Sequence, residues 1–396
     1  MTRRSMRFLI RLSAIAVLLV ALTPAVASAQ VVIKVSDTVN MRLGMQLQGW
    51  ADWTQDPNSE GYSQNFFIRR VRFIVLATVA PNVSIFYQTD NPRYGNAGTT
   101  GVKVINTGFV TQDAYIEWRF AGDPAALQFG LFLVPASHAG LISTSSYQAF
   151  DIGTWQIQGN TLMQGNGGRD FGIGGNGYVL DGHLGYRWGI FDGARRGTTT
   201  QTGGLGPKAG SRNSFRYAGR WQYDFFDIQK GYTYVGTYRG TKKIVAIGGW
   251  ADTQDTYVGY GGDFTVDWPI LKDAVKAEFD YTHYEGGGAK FSVPPAVGVP
   301  GKVTLKEQND LYMDAGYYFD AFKIQPFVRY ETLNFKKTAD KAGNQKRYGG
   351  GLNWYVSGQN LKISGWWEHV VPKNQPTTAK IKAFNHYAIQ IQAIYF

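Results

Sequence analysis

Much of this chain alternates residue by residue between apolar and polar side chains, and few folds accept that pattern. In Val275-Lys276-Ala277-Glu278-Phe279-Asp280-Tyr281 the alternation is unbroken. From Gln112 to Phe120, one face carries Ala114, Ile116, Trp118 and Phe120, and the other Asp113, Glu117 and Arg119. Leu184, Tyr186, Trp188 and Ile190 alternate with His183, Gly185, Arg187 and Gly189. Successive strand side chains point to opposite faces, so each segment is a β-strand with one greasy and one polar side. Sixteen such segments begin near residues 41, 66, 82, 111, 126, 169, 181, 212, 242, 256, 273, 308, 321, 346, 360 and 383.

Between them, Asp123-Pro124, Leu180-Asp181-Gly182 and Ser357-Gly358-Gln359-Asn360 have turn chemistry. Long loops are expected at 91–110, 134–168, 192–211 and 286–305. The stretch 224–241 fits less well, because Gly231 to Tyr238 has the pattern of a short extra strand that would spoil the even count. Composition agrees with an all-β chain, with 49 glycines, 15% aromatic and only 17% charged residues. That aromatic content excludes a disordered chain. The absence of cysteine excludes disulfide frameworks and thiolate metal sites.

Residues 1–29 read as a secretory signal peptide. Arg3, Arg4, Arg7 and Arg11 form a positive start, a largely apolar stretch runs from Leu12 to Leu22, and Ala27-Ser28-Ala29 offers a cleavage site. As a helix that stretch rises only ~16 Å, too short for a membrane anchor of roughly 20 residues. Cleavage removes four arginines and lowers the formal charge from +11 to +7. Residues 30–396 then form one unit with no linker, and export without disulfides points to a bacterial envelope.

A soluble sandwich alternates as well, but three features favour a transmembrane antiparallel β-barrel. Trp50, Trp53, Trp250, Trp268 and Trp366 lie near strand ends, as interfacial girdles require. Charged residues keep to one phase, as a wet interior demands. The last strand ends in Ile394-Tyr395-Phe396, a common mark of outer-membrane barrels. Counting back from Phe396, the apolar phase fails at Gln392 and Gln390, which a bulge near the end would reconcile.

Particular residues carry a family resemblance. Phe66-Phe67-Ile68-Arg69-Arg70-Val71-Arg72 resembles the arginine-rich second strand of the phosphate-selective porin O and P family. Gln112-Asp113-Ala114-Tyr115, Gly130-Leu131-Phe132-Leu133-Val134-Pro135 and Gly351-Leu352-Asn353-Trp354-Tyr355 are similar to three further landmarks of that family, in the right order. The resemblance implies a sixteen-stranded barrel, usually trimeric, whose third loop folds inward to narrow the pore. Members range from phosphate-specific channels to general porins.

A diffusion pore selects by radius and lining charge. Arg70 and Arg72 share a strand face, Arg119 is expected near them, and Arg216 and Arg220 form a second candidate pair. Guanidinium groups offer fixed positive charge and forked donors suited to oxyanions, though the same groups also serve in structural networks with Asp113 and Glu117. The constriction loop 134–168 carries His138, Ser143, Thr144, Ser145, Ser146, Tyr147, Asp151 and Trp155. It contains no Lys or Arg, which counts against dedicated phosphate binding; its hydroxyls suit anions, sugars or plain loop solubility. The inward phases give ten basic residues (Arg70, Arg72, Arg119, Arg187, Arg216, Arg220, Lys276, Lys323, Arg329, Lys362). They also give ten acidic ones (Asp113, Glu117, Asp263, Asp267, Glu278, Asp280, Asp314, Asp320, Glu331, Glu368). That balance predicts modest selectivity.

Gly172-Ile173-Gly174-Gly175-Asn176-Gly177 matches a dinucleotide fingerprint, but such a fingerprint must open a helix, and here a turn follows. His138, His183, His283, His369 and His386 show no metal spacing. Asp181-Gly182-His183 reads as a turn and not as catalytic machinery, and the scattered charge forms no nucleic-acid patch. The expectation is a non-enzymatic outer-membrane porin without cofactor or metal, in contact with outer-membrane lipid and small hydrophilic solutes, and a homotrimer. Two alternatives stand beside it: a specific channel for phosphate, polyphosphate or a sugar, and a secreted soluble β-sandwich that binds carbohydrate.

Overall fold

The computed structural model describes residues 31–59, 61–97, 103, 105, 108–157, 167–193, 214–286, 306–374 and 381–396. The segment expected to be a signal peptide lies outside the described residues, as do 158–166 of the inward loop and much of the loops near 200 and 295. The strands are β1 (Val31–Lys34), β2 (Asn40–Gln55), β3 (Tyr62–Ala80), β4 (Val83–Asp90), β5 (Val110–Trp118) and β6 (Ala126–Leu133). Then come β7 (Arg169–Val179), β8 (Leu184–Phe191), β9 (Arg216–Asp224), β10 (Ile244–Gln254), β11 (Tyr257–Ile270) and β12 (Asp273–Glu285). The series ends with β13 (Gln308–Tyr318), β14 (Ile324–Phe335), β15 (Gln345–Gln359), β16 (Leu361–Pro372) and β17 (Phe384–Tyr395).

From β2 onward each strand pairs antiparallel with the next, and β17 pairs back with β2 through Gln392 opposite Gln48. The result is a closed barrel of sixteen strands, which excludes the two-sheet sandwich. All sixteen expected strands are present, with starts within four residues of their predicted positions. The additional β1 pairs with Asn40 to Leu43 of β2, on the edge that β17 occupies from Met45 onward.

The interior is polar and the exterior greasy, the reverse of a soluble protein. Asp280 and Gln392 are fully buried and Arg70 is 4% exposed, whereas Phe66, Val328 and Ile391 are 68%, 60% and 56% exposed. A closed barrel leaves no strand edge unpaired, and an outer band of Phe, Ile, Val and Trp meets hydrocarbon without a polar group to desolvate. Gly130 on β6 shows the local cost of closure. Its φ is +132°, and an added Cβ would stand 2.2 Å from the Ala114 carbonyl oxygen of β5, so only glycine fits.

Three expectations are corrected by the register. Of the five girdle tryptophans, Trp50, Trp250 and Trp366 face inward, in the phase of the buried polar residues. Trp366 stacks on Phe327 and Phe150 inside the barrel. Trp53 packs beside outward Phe66, and Trp268 beside Phe226. Trp118, Trp188, Trp221, Trp354 and Trp367 are the other outward-facing tryptophans. No bulge interrupts β17: its ladders with β16 and β2 are continuous, Gln390 and Gln392 point inward, and Ile389, Ile391 and Tyr395 point out. Phe396 therefore follows the inward phase, its ring 6.5 Å from that of Phe86.

The third correction concerns 224–241. No strand forms there. The 225–243 connection between β9 and β10 leaves the rim of short turns and folds into the lumen, where Tyr234 makes a single bridge to Ile142.

Candidate functional site

The inward loop begins where β6 ends, and its described part, 134–157, is almost wholly buried inside the barrel. Its length of backbone, removed from bulk water, has to find hydrogen-bond partners on the wall. At one end the His138 backbone N–H donates to Asp263 (3.2 Å), and its Nδ1 lies 2.7 Å from Glu278. Across the lumen, the Gln48 amide donates to the Thr144 carbonyl and the Gln392 amide to that of Ser145. Gln148 donates to Asp314, Asn353 donates to the Gln148 carbonyl, and the Thr154 N–H donates to Glu331. Lys362 donates to the Tyr147 carbonyl at 2.9 Å. The loop thereby fills the side of the barrel formed by β10 to β16.

On the opposite side, space remains. A cavity of about 470 Å³ is lined by Arg69, Arg70, Arg72 and Arg169 together with Ser143, Thr144, Ser145 and Tyr147. A β-bulge builds this arginine wall. Gln48 opposes Arg70 but Gly49 opposes Ile68, so Arg69 has no partner residue. Residues before the bulge face inward at odd positions and those after it at even positions. Arg69 and Arg70 thus both reach the lumen, where plain alternation allows one.

Each arginine holds an aspartate. Arg69 and Arg70 share Asp151 of the loop at 2.8 and 2.6 Å, Arg72 binds Asp90 at 2.9 Å, and Arg169 binds Asp113 at 3.1 Å. Arg72 also donates to the Thr144 hydroxyl at 2.8 Å, which ties the loop to the same wall. Four guanidiniums against three carboxylates leave the cavity one positive charge in excess. Burial alone would raise the Asp151 carboxyl, but Arg69 and Arg70 hold it well below the usual carboxylate range. Burial pushes the Tyr147 phenol up to about 12, so it remains a neutral donor.

The remaining candidate residues lie apart. Arg119 stands at the short-turn rim, 2.8 Å from Glu117, and lines a second cavity of about 350 Å³ with Arg187. Arg216 is fully buried between Asp252 and Asp170. Arg220 is clamped by Asp263 and stacks against Tyr234. Neither lines the two cavities. Ser143 and Ser145 bond each other, and Ser146 accepts from the Gly236 N–H, so these hydroxyls also hold the loop's shape. Trp155 is buried beneath Arg347. Of the predicted inward charges, Lys323 and Asp320 sit exposed at a short turn. Arg69, Asp90, Arg169 and Tyr232 are cavity residues that sequence reasoning missed. Arg169 had a visible signal, as the first residue of the strand that follows the loop.

This constellation defines a class: a sixteen-stranded membrane barrel of the outer-membrane porin architecture, narrowed from within by a loop. Solved structures agree on the fold. The chain is similar to Salmonella typhi OmpF in complex with daunomycin, at 12% identity and a TM-score of 0.58 over 92% of this chain and 100% of that one. It is similar to the outer membrane channel DcaP of Acinetobacter baumannii, at 9% identity and 0.55 over 92% and 99%. It is also similar to an anion-selective porin from Comamonas acidovorans, at 11% identity and 0.54 over 90% and 100%. No family model matches the chain, and no curated protein matches it in sequence.

Proposed function

We propose that the protein is a bacterial outer-membrane diffusion porin, not an enzyme, that passes small hydrophilic solutes and ions with a modest preference for anions. The observation that carries this reading is the cavity beside the inward loop, walled by four arginines whose guanidiniums are paired with three aspartates. Rings of fixed charge at a constriction set ion preference, and an excess of one gives a small bias. A dedicated phosphate channel needs guanidiniums free to replace the hydration of the anion; here each already holds a carboxylate. Membership of the phosphate-selective porin O and P family rests on the four sequence landmarks. Trimer assembly and removal of residues 1–29 belong to the same reading.

The test is the reversal potential of the refolded protein in a planar bilayer under a KCl gradient. A chloride-side potential that moves toward zero in Arg70→Ala and Arg72→Ala is the expected result. A cation-side potential in the wild type overturns the anion preference and leaves a general porin. Saturable block of the current by phosphate would favour the substrate-specific reading, and absence of channels would overturn the porin.

A further inference from the structure

The inward loop is not the only segment that narrows the lumen. The two cavities, one lined by arginines and one opening at the short-turn rim, share Phe86, Leu133, Gly231, Tyr232 and Phe396 in their walls. Tyr232 comes from the β9–β10 connection, which enters from the opposite rim to the inward loop. Its ring lies 4.9 Å from that of Tyr115 and 5.6 Å from that of Phe86, which in turn faces Phe396. We propose that Tyr232 is the size-determining residue of the passage, a partition that separates the arginine-lined cavity from the exit. The proposal rests on the porin reading and adds a second narrowing to it.

The ring is pinned at both ends. Its hydroxyl donates to Asp113 at 2.5 Å and accepts from the Leu133 N–H at 2.7 Å, so one atom joins the base of the inward loop to the β5 wall. Behind the ring, Arg187 donates to the Gly231 and Tyr232 carbonyls at 2.8 and 2.6 Å, and the Gly231 N–H donates to the Tyr178 hydroxyl at 2.8 Å. Gly231 has a φ of +132°, a backbone setting that suits glycine and delivers the next residue into the lumen. A side chain whose backbone is held by three contacts behind it and whose tip makes two is a rigid obstacle, not a mobile plug. Its position between two spaces makes its bulk the quantity that limits a passing solute.

The experiment is single-channel conductance in planar bilayers, with liposome swelling by a monosaccharide and a trisaccharide, for wild type, Tyr232→Ala, Tyr232→Phe and Phe86→Ala. Tyr232→Ala should raise conductance by roughly twofold or more and narrow the gap between the two sugars. Tyr232→Phe keeps the ring and should stay close to wild type. Phe86→Ala opens the same gap from the opposite wall and should move in the direction of Tyr232→Ala; it stands in if the latter does not refold. Unchanged conductance in Tyr232→Ala, or in Phe86→Ala standing in for it, overturns the partition. So does a Tyr232→Phe channel as wide as Tyr232→Ala, because bulk would then not be the cause. A wild type without channels defeats the porin reading instead, which separates the two failures.

Discussion

The wall from β3 to β7 and the wall from β9 to β16 both carry basic side chains held to carboxylates, yet among the described residues the arginine-lined cavity beside the loop borders the first and not the second. On the second, Lys276 lies between Glu278 and Asp314, Arg329 bonds Glu331 and Glu368, and Arg220 clamps Asp263, all beneath the loop. On the first, Arg69, Arg70, Arg72 and Arg169 make the same kind of bonds at the edge of a cavity. Ion pairs of one chemistry thus act as fixings where a loop covers them and as the lining of a cavity where none does. What separates the two roles is the space beside the pair, not the pair.

The comparison can be broken most strongly at the covered wall. Lys276→Met leaves Glu278 and Asp314 buried without their cation, and breaking a buried pair in that way costs ~3–5 kcal/mol. Denaturant unfolding in detergent should show that loss, while the ion preference of any refolded channel stays unchanged. At the open wall the expectation reverses. Arg169→Gln or Arg72→Gln removes the cavity's single excess charge, so the reversal potential should move to zero. Equal effects of the Lys276 and Arg169 changes on both readouts would erase the distinction between the walls.

The loop tether at Asp151 gives an intermediate effect, visible in pH. An ordinary aspartate titrates near ~3.9, and Arg69 and Arg70 depress that value in the folded chain. Its contribution to stability is therefore complete above the ordinary value and is lost only as pH falls through the lower, folded one. The Asp151 tether should therefore hold unchanged from neutral pH to about pH 4, and Asp151→Asn should loosen the loop, and shift the conductance, at every pH. The smallest effect belongs to the exposed Lys230–Asp123 pair at the short-turn rim, 2.6 Å apart. Lys230→Ala should cost about 0–1 kcal/mol, and a larger loss would show that this rim anchors the Tyr232 segment more firmly than its exposure suggests.

The barrel was legible because each strand carries its own two-residue period, a local signal that no distant contact has to complete. The candidate site was only half legible for the same reason. Arg70 and Arg72 stood out on one face, but Arg69 turned inward through a bulge that depends on how β2 pairs with β3. Trp50, Trp250 and Trp366 looked like girdle residues because an aromatic ring suits both lipid and a lumen packed by a loop. Tyr232 left no signal at all, since a short polar-aromatic stretch reads alike as a strand or as an infolded turn until its partners are known. The final strand's phase was readable in Gln390 and Gln392, and it is the phase the strand adopts; the terminal ring pulled the reading the other way.

The seam where β17 meets β2 has a kinetic consequence. Gln392 donates to Ser145 of the loop and accepts from Gln48, a residue 344 positions away in sequence. Every other neighbouring pair in the barrel is sequential, so hairpins can zip one after another, but this last ladder must bring together the two ends of the sheet. Closing a loop of that length costs about 5 kcal/mol in chain entropy alone, with no reward until the ladder has formed. Contacts of such long range slow folding, and until the seam closes both outer strands offer bare hydrogen-bonding edges to any passing chain. Destabilising the seam, by Gln392→Ala for instance, should slow assembly and promote aggregation before it alters the current through a finished channel.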